Sequence, residues 1–158
     1  MVGDLVLRTG SEFGFLSAWN KSVGVPPFER FYVGGDGLSN FVLDGRETIG
    51  LRGYPNQSLT PQGGGTMYAK YTLELRYPLT LNPGSTIYGL VFAEGGNAYD
   101  NLKEFKPFEV KRSLGAGIRI FLPQFGLLGV DFGRGFDNTP GQQLPSGWQT
   151  HFTIGQQF

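Results

Sequence analysis

Between Thr66 and Tyr77 the chain reads T-M-Y-A-K-Y-T-L-E-L-R-Y, and alternate residues fall into two rows. Met67, Ala69, Tyr71, Leu73, Leu75 and Tyr77 make one apolar and aromatic row, and Thr66, Lys70, Thr72, Glu74 and Arg76 share the other with Tyr68. A two-residue period places successive side chains on opposite faces of a β-strand. Pro78 is expected to stop this strand, and Leu81-Asn82-Pro83-Gly84 supplies a turn before a second strand over Ser85 to Ala98. The period returns in Arg112 to Leu122, where Leu114, Ile118 and Ile120 oppose Ser113 and Arg119, and in Gly126 to Arg134, where Leu128, Val130 and Phe132 oppose Asp131. It returns again in Trp148 to Phe158 and, less cleanly, in Asp4 to Phe15. Six strands are predicted, consecutive ones antiparallel.

The joins alternate long and short. About 16–65, 99–111 and 135–147 are long and rich in Gly, Pro, Asn and Gln, whereas 79–84 and 123–126 are short. Outer-membrane barrels combine short turns at one rim with long loops at the other. A fifty-residue segment without sustained alternation is unusual enough to carry function. The predicted fold class is therefore all-β, an antiparallel transmembrane β-barrel, with the Leu73 and Ile154 rows facing lipid. A soluble barrel with an apolar, ligand-binding interior is the alternative that alternation alone leaves open.

Composition narrows the chemistry. The 158 residues include 26 Gly and 10 Pro, about twice the ordinary share of roughly 12%, so long helices are disfavoured. Thirteen basic and thirteen acidic residues cancel, which leaves no electrostatic footprint for nucleic acid. Without cysteine and with His151 as the single histidine, thiolate or His-cluster metal sites and cysteine nucleophiles are excluded. His151, on the polar row of the last strand, is read as a lumen hydrogen-bonding group. Gly115-Ala116-Gly117 lies within a strand and lacks a third glycine, so it is no phosphate cradle. Asp131, Asp137 and Asn138 lack calcium-loop spacing and are assigned to surface or lumen. No catalytic residue, metal or cofactor is expected.

Two motifs carry more. The ending W-Q-T-H-F-T-I-G-Q-Q-F, with Phe152, Ile154, Gly155 and Phe158, resembles the β-signal of bacterial outer-membrane proteins. Gly50-Leu51-Arg52-Gly53-Tyr54 resembles the V-R-G-F/Y motif in the long sixth extracellular loop of the BamA-type outer-membrane assembly and translocation family. Pro27-Phe28-Glu29-Arg30-Phe31-Tyr32-Val33-Gly34-Gly35 is similar to the segment that opens that loop, and L-E-L-R-Y-P (Leu73 to Pro78) and F-A-E-G-G (Phe92 to Gly96) to the two strands that follow. Order and spacing agree over nearly the whole of 1–158.

That resemblance implies a non-enzymatic assembly factor of the bacterial outer membrane, working with outer-membrane lipids, nascent barrel proteins and accessory assembly lipoproteins. A secretion or autotransporter-assembly pore is the neighbouring possibility in the same family. It also implies that the six strands are the carboxy-terminal strands of a sixteen-stranded barrel, a fragment whose polypeptide-transport-associated (POTRA) domains lie outside the chain. Leu51, Arg52, Gly53 and Tyr54 would be the loop-anchoring motif, with Glu74 and Glu94 its lumen partners. The residues support this independently: a guanidinium is a rigid fork suited to carboxylates, and Glu74 is the sole acid on its strand's polar row.

Overall fold

The computed structural model describes residues 4–19, 24–37, 46–82 and 84–155. In chain order these form β1 (Val6–Phe15), a single 3-10 turn at Pro27–Glu29, β2 (Phe31–Val33), β3 (Glu47–Ile49), β4 (Met67–Asn82), β5 (Ser85–Tyr99), β6 (Lys111–Leu122), β7 (Gly126–Asn138) and β8 (Pro145–Gly155). Six strands make one antiparallel sheet in the order β1-β4-β5-β6-β7-β8, and β2 and β3 form a separate parallel pair inside the long loop. Among the described residues the sheet is open, with β1 and β8 at its edges.

The six predicted strands are present with shifted ends. Pro78 does not end β4: the strand continues to Asn82 across a register shift between Pro78 and Thr80. A bulge is where a strand accommodates a residue that has no N–H for the ladder. The run through 134 extends to Asn138 by a second shift, between Gly135 and Asn138. The last strand begins at Pro145, earlier than its alternation suggests, and Phe158 lies outside the described residues. Within the 16–65 segment, the β2–β3 pair was not anticipated, because three-residue strands are too short to show a period.

Burial is inverted relative to a water-soluble protein. Leu73, Phe132 and Ile154 are 49%, 56% and 66% exposed on one face, while Glu74, Arg119, Asp131 and His151 are buried on the other. A soluble sheet hides its apolar face, since burying apolar surface is the main favourable term in water. Here the exposed face is apolar, as lipid requires, and the apolar-interior alternative does not fit. Nitroxides attached at Leu73→Cys and Ile154→Cys are expected to collide with dissolved oxygen more than with a water-soluble nickel chelate, and one at Thr153→Cys to do the reverse. Opposite accessibilities would overturn the assignment of faces.

The long segment folds against the polar face and brings a small apolar core with it. Phe31, Val33, Ile49, Leu51, Tyr54 and Leu59 pack together and onto Tyr68 of β4 and Ala98 of β5. Backbone bonds knit the segment to itself: Gly35 N donates to Leu51 O, Leu59 N to Val33 O, and Phe31 and Gly65 exchange two bonds. The loop thus presents Arg52 from a folded platform.

Candidate functional site

Leu51 is fully buried, its side chain lying over Gly96 on the inner face of β5, and Arg52 follows it onto the same wall. Arg52 meets three carboxylates from three strands. Its Nε and Nη2 donate to Glu94 Oε1 at 3.0 and 2.6 Å, its Nη2 to Glu74 Oε2 at 2.9 Å, and its Nη1 to Asp131 Oδ2 at 3.3 Å. The Arg52 backbone N–H adds a bond to Glu94 Oε2 at 2.8 Å, so Glu94 holds main chain and side chain together. The guanidinium carbon lies 3.7 Å from the centre of the Phe92 ring, a cation–π contact on the apolar floor of β5.

Two further arginines complete the network. Arg76 Nε donates to Glu74 Oε1 at 2.5 Å, and Arg119 grips Asp131 with two bonds, at 2.7 and 2.6 Å. Three cations therefore face three carboxylates, and the group is electrically balanced where solvent is scarce. Balance matters because each desolvated ion costs several kcal/mol unless partners satisfy it. Burial works against the charge on Arg52, but Glu94, Asp131 and Glu74 outweigh it and hold its pKa above the ordinary guanidinium value. Arg52 is consequently a permanent cation.

Glycines decide how closely the motif approaches. Gly53 has φ +88°, and a Cβ there would stand 2.7 Å from Ser113 Cβ and 3.0 Å from the Arg134 carbonyl carbon. On β7, a Cβ at Gly133 would meet Gly53 N at 2.8 Å, and one at Gly135 would meet Gly53 O at 2.6 Å. The absent side chains make a trough in the wall in which the loop backbone lies. Its polar groups are paired there: Gly53 N donates to His151 Nε2 at 2.8 Å, and Ser146 Oγ donates to Gly53 O at 2.7 Å. His151 is a hydrogen-bond acceptor for the loop in this geometry. Tyr54 is fully buried; its hydroxyl donates to Arg112 O at 2.7 Å and accepts from Asp137 N at 3.3 Å. Burial, with Asp137 nearby, pushes the Tyr54 phenol up to about 12, so it keeps its proton.

The structure brings together Arg52, Glu74 and Glu94, with Gly53 and Tyr54 docked beside them and Leu51 beneath. Phe152 and Ile154 point outward on β8, and Gly155 ends that strand. They share no contact with the arginine network. Sequence reasoning missed Asp131 as a partner of Arg52 and did not pair it with Arg119. The signal was present in the tight β6–β7 turn: pairing Leu122 with Gly126 sets Arg119 opposite Gly129 and Asp131 opposite Gly117, one diagonal step apart on the same face.

An antiparallel sheet with an apolar outside and a loop pinned by charge to its polar inside defines a membrane β-barrel wall with an inward-folded loop. The family model described as the Omp85 superfamily domain matches residues 2–158. The chain belongs to that superfamily, whose members are bacterial outer-membrane proteins of protein insertion and secretion. No curated protein matches the chain at a significant level.

Proposed function

We propose that the chain forms the carboxy-terminal wall of a BamA-type insertase, which folds and inserts barrel proteins into the bacterial outer membrane. The observation that carries this reading is the docking of the Leu51-Arg52-Gly53-Tyr54 motif in the lumen, with Arg52 on Glu74, Glu94 and Asp131. Its role is to anchor the long loop and hold the wall in one shape. The edges β1 and β8 are where the remaining strands of a sixteen-stranded barrel would join, since unpaired edge amides and carbonyls are not tolerated in lipid. The work done is non-covalent: an incoming strand is templated by main-chain pairing at an edge. Clients are nascent outer-membrane barrels, accessory assembly lipoproteins are the helpers, and Phe152, Ile154, Gly155 and Phe158 serve as the β-signal for the protein's own assembly.

The test uses the full-length protein in phospholipid vesicles with a urea-unfolded barrel client. Folded client, recognised by its heat-dependent gel mobility, is expected to accumulate at least several-fold faster than in empty vesicles. Transfer of a soluble passenger without client insertion would favour the secretion pore of the same family, and the absence of both activities would overturn the reading.

A further inference from the structure

The connection between β5 and β6, residues 100–110, does not arch over the polar face. It folds back across the outside of the wall. Gly95, the ladder partner of Tyr71, shares the outward row, and a Cβ on it would stand 2.9 Å from Val110 Cγ2. The missing side chain lets the returning leg of the loop lie flat there. Phe108 stacks on outward-facing Tyr71 with ring centres 6.3 Å apart and planes 13° from parallel. Phe105 meets Phe15 and Tyr99 edge-on at 5.1 and 5.4 Å, and so crosses Met67, the ladder partner of both. Asn97 Nδ2 donates to Glu109 O at 3.3 Å, and the Tyr99 hydroxyl donates to Lys106 O at 2.6 Å, fixing the loop's backbone to β5. Met67 and Ala69 are accordingly buried although their row faces outward, while Leu73, Tyr77 and Leu79 on the same strand stay exposed.

The fold thus covers one end of the outer face and presents new apolar groups in its place. Leu102 and Phe108 are 73% and 85% exposed. From Tyr71 to Leu79, the last outward residue before the register shift, β4 rises about 26 Å along its axis, or about 20 Å along the membrane normal at the usual barrel tilt, close to the height of an apolar band. The crossing loop therefore sits at one boundary of that band. Its charges nearly cancel: Lys106 pairs with Glu109 at 2.7 Å, Asp100 with Arg30 at 3.2 Å, and Lys103 and Glu104 oppose each other in sign. Capture of an anion from a distance is not what such a loop is built for.

We infer that the 100–110 loop is a membrane-interface flap whose Leu102 and Phe108 seat in the boundary between headgroups and acyl chains on the loop side of the bilayer. The inference rests on the reading of the Leu73 row as lipid-facing. Lipid is the occupant because the flap lies on that row and continues it at the level where an aromatic ring finds an apolar body and a wet margin together.

These 158 residues contain no cysteine, so each substitution creates a single labelling site within them. In the full-length protein in phosphatidylcholine bilayers, labels at Leu102→Cys and Phe108→Cys are compared with Leu73→Cys for lipid and Gln142→Cys, in the β7–β8 connection, for water. The ratio of oxygen to nickel-chelate collisions at 102 and 108 is expected at least threefold above that at 142 and below that at 73. A ratio equal to that at 142 would place the flap in water and overturn the inference. Exclusion of both reagents would mean that protein covers the flap, which overturns it equally. A water-like Leu73 label would instead bring down the underlying assignment of the lipid face, and the flap with it.

Discussion

Alanine at Arg52 is expected to detach the long loop from the wall of the folded barrel. Glu74 would keep Arg76 and Asp131 would keep Arg119, so the loss falls on Glu94, whose side-chain cation among the described residues is Arg52. A confined carboxylate stripped of its partner costs about 3–5 kcal/mol. Limited proteolysis of the full-length protein should show rapid cleavage within the loop, and client insertion should fall with it. Adding Glu94→Gln to Arg52→Ala should restore part of the loss, because the stranded charge is then gone. Arg30→Ala removes a partly exposed pair with Asp100 and two bonds to the carbonyls of Val25 and Gly64, strands no buried charge, and should cost less than Arg52→Ala. Wild-type protease resistance in Arg52→Ala would show that the apolar loop core suffices without the ion network.

Gly53→Val should be nearly as damaging by a different route. A β-branched residue at φ +88° is strained, by roughly 1–2 kcal/mol for the left-handed backbone alone. Its Cβ would also press on Ser113 and the Arg134 backbone, which form strands and cannot retreat, and overpacking of this kind costs about 1–3 kcal/mol more. Gly50→Ala is the control: its φ is not in the left-handed region, and its nearest neighbour, Gly35 O, is 3.3 Å away. The temperature at which heat-dependent gel mobility is lost should drop sharply for Gly53→Val and little for Gly50→Ala. Equal drops would mean that general loop strain, and not the fit of Gly53 into the trough, sets stability.

Much of this was legible in the residues, for physical reasons that also explain the gaps. Alternation is strong where one face meets lipid and the other a polar lumen, so Leu73 against Glu74 and Phe132 against Asp131 could be sorted by parity alone. Strand ends were less legible, because Pro78 reads as a stop until a bulge makes room for it. Arg52 was visible through its motif and its need for carboxylates. Asp131 was not, since a partner two strands further away depends on register, which parity does not contain. The outward fold of the 100–110 loop was hidden in Gly95, which in sequence is one more glycine of a glycine-rich chain and in space is the seat of Val110.

The arginine network has a mechanical consequence. Neighbouring strands joined only by their ladder can slide in two-residue steps without losing the sense of their faces, and each such step moves a side chain about 6.6 Å. Arg52 tolerates no such slip, because one planar fork is shared by Glu74, Glu94 and Asp131, while Gly53 ties the same point to Ser146 and His151 of β8. The loop is a cross-brace over β4 to β8, and it turns five strands into a stiff panel. β1 lies outside the charged part of the brace: it is joined to the panel by its ladder, by the Glu12–Lys70 ion pair, by aromatic contacts on the outer side and by the ring of Phe31 over Gly14. A wall built this way cannot flex in its middle, so any change in its curvature is concentrated at its two margins.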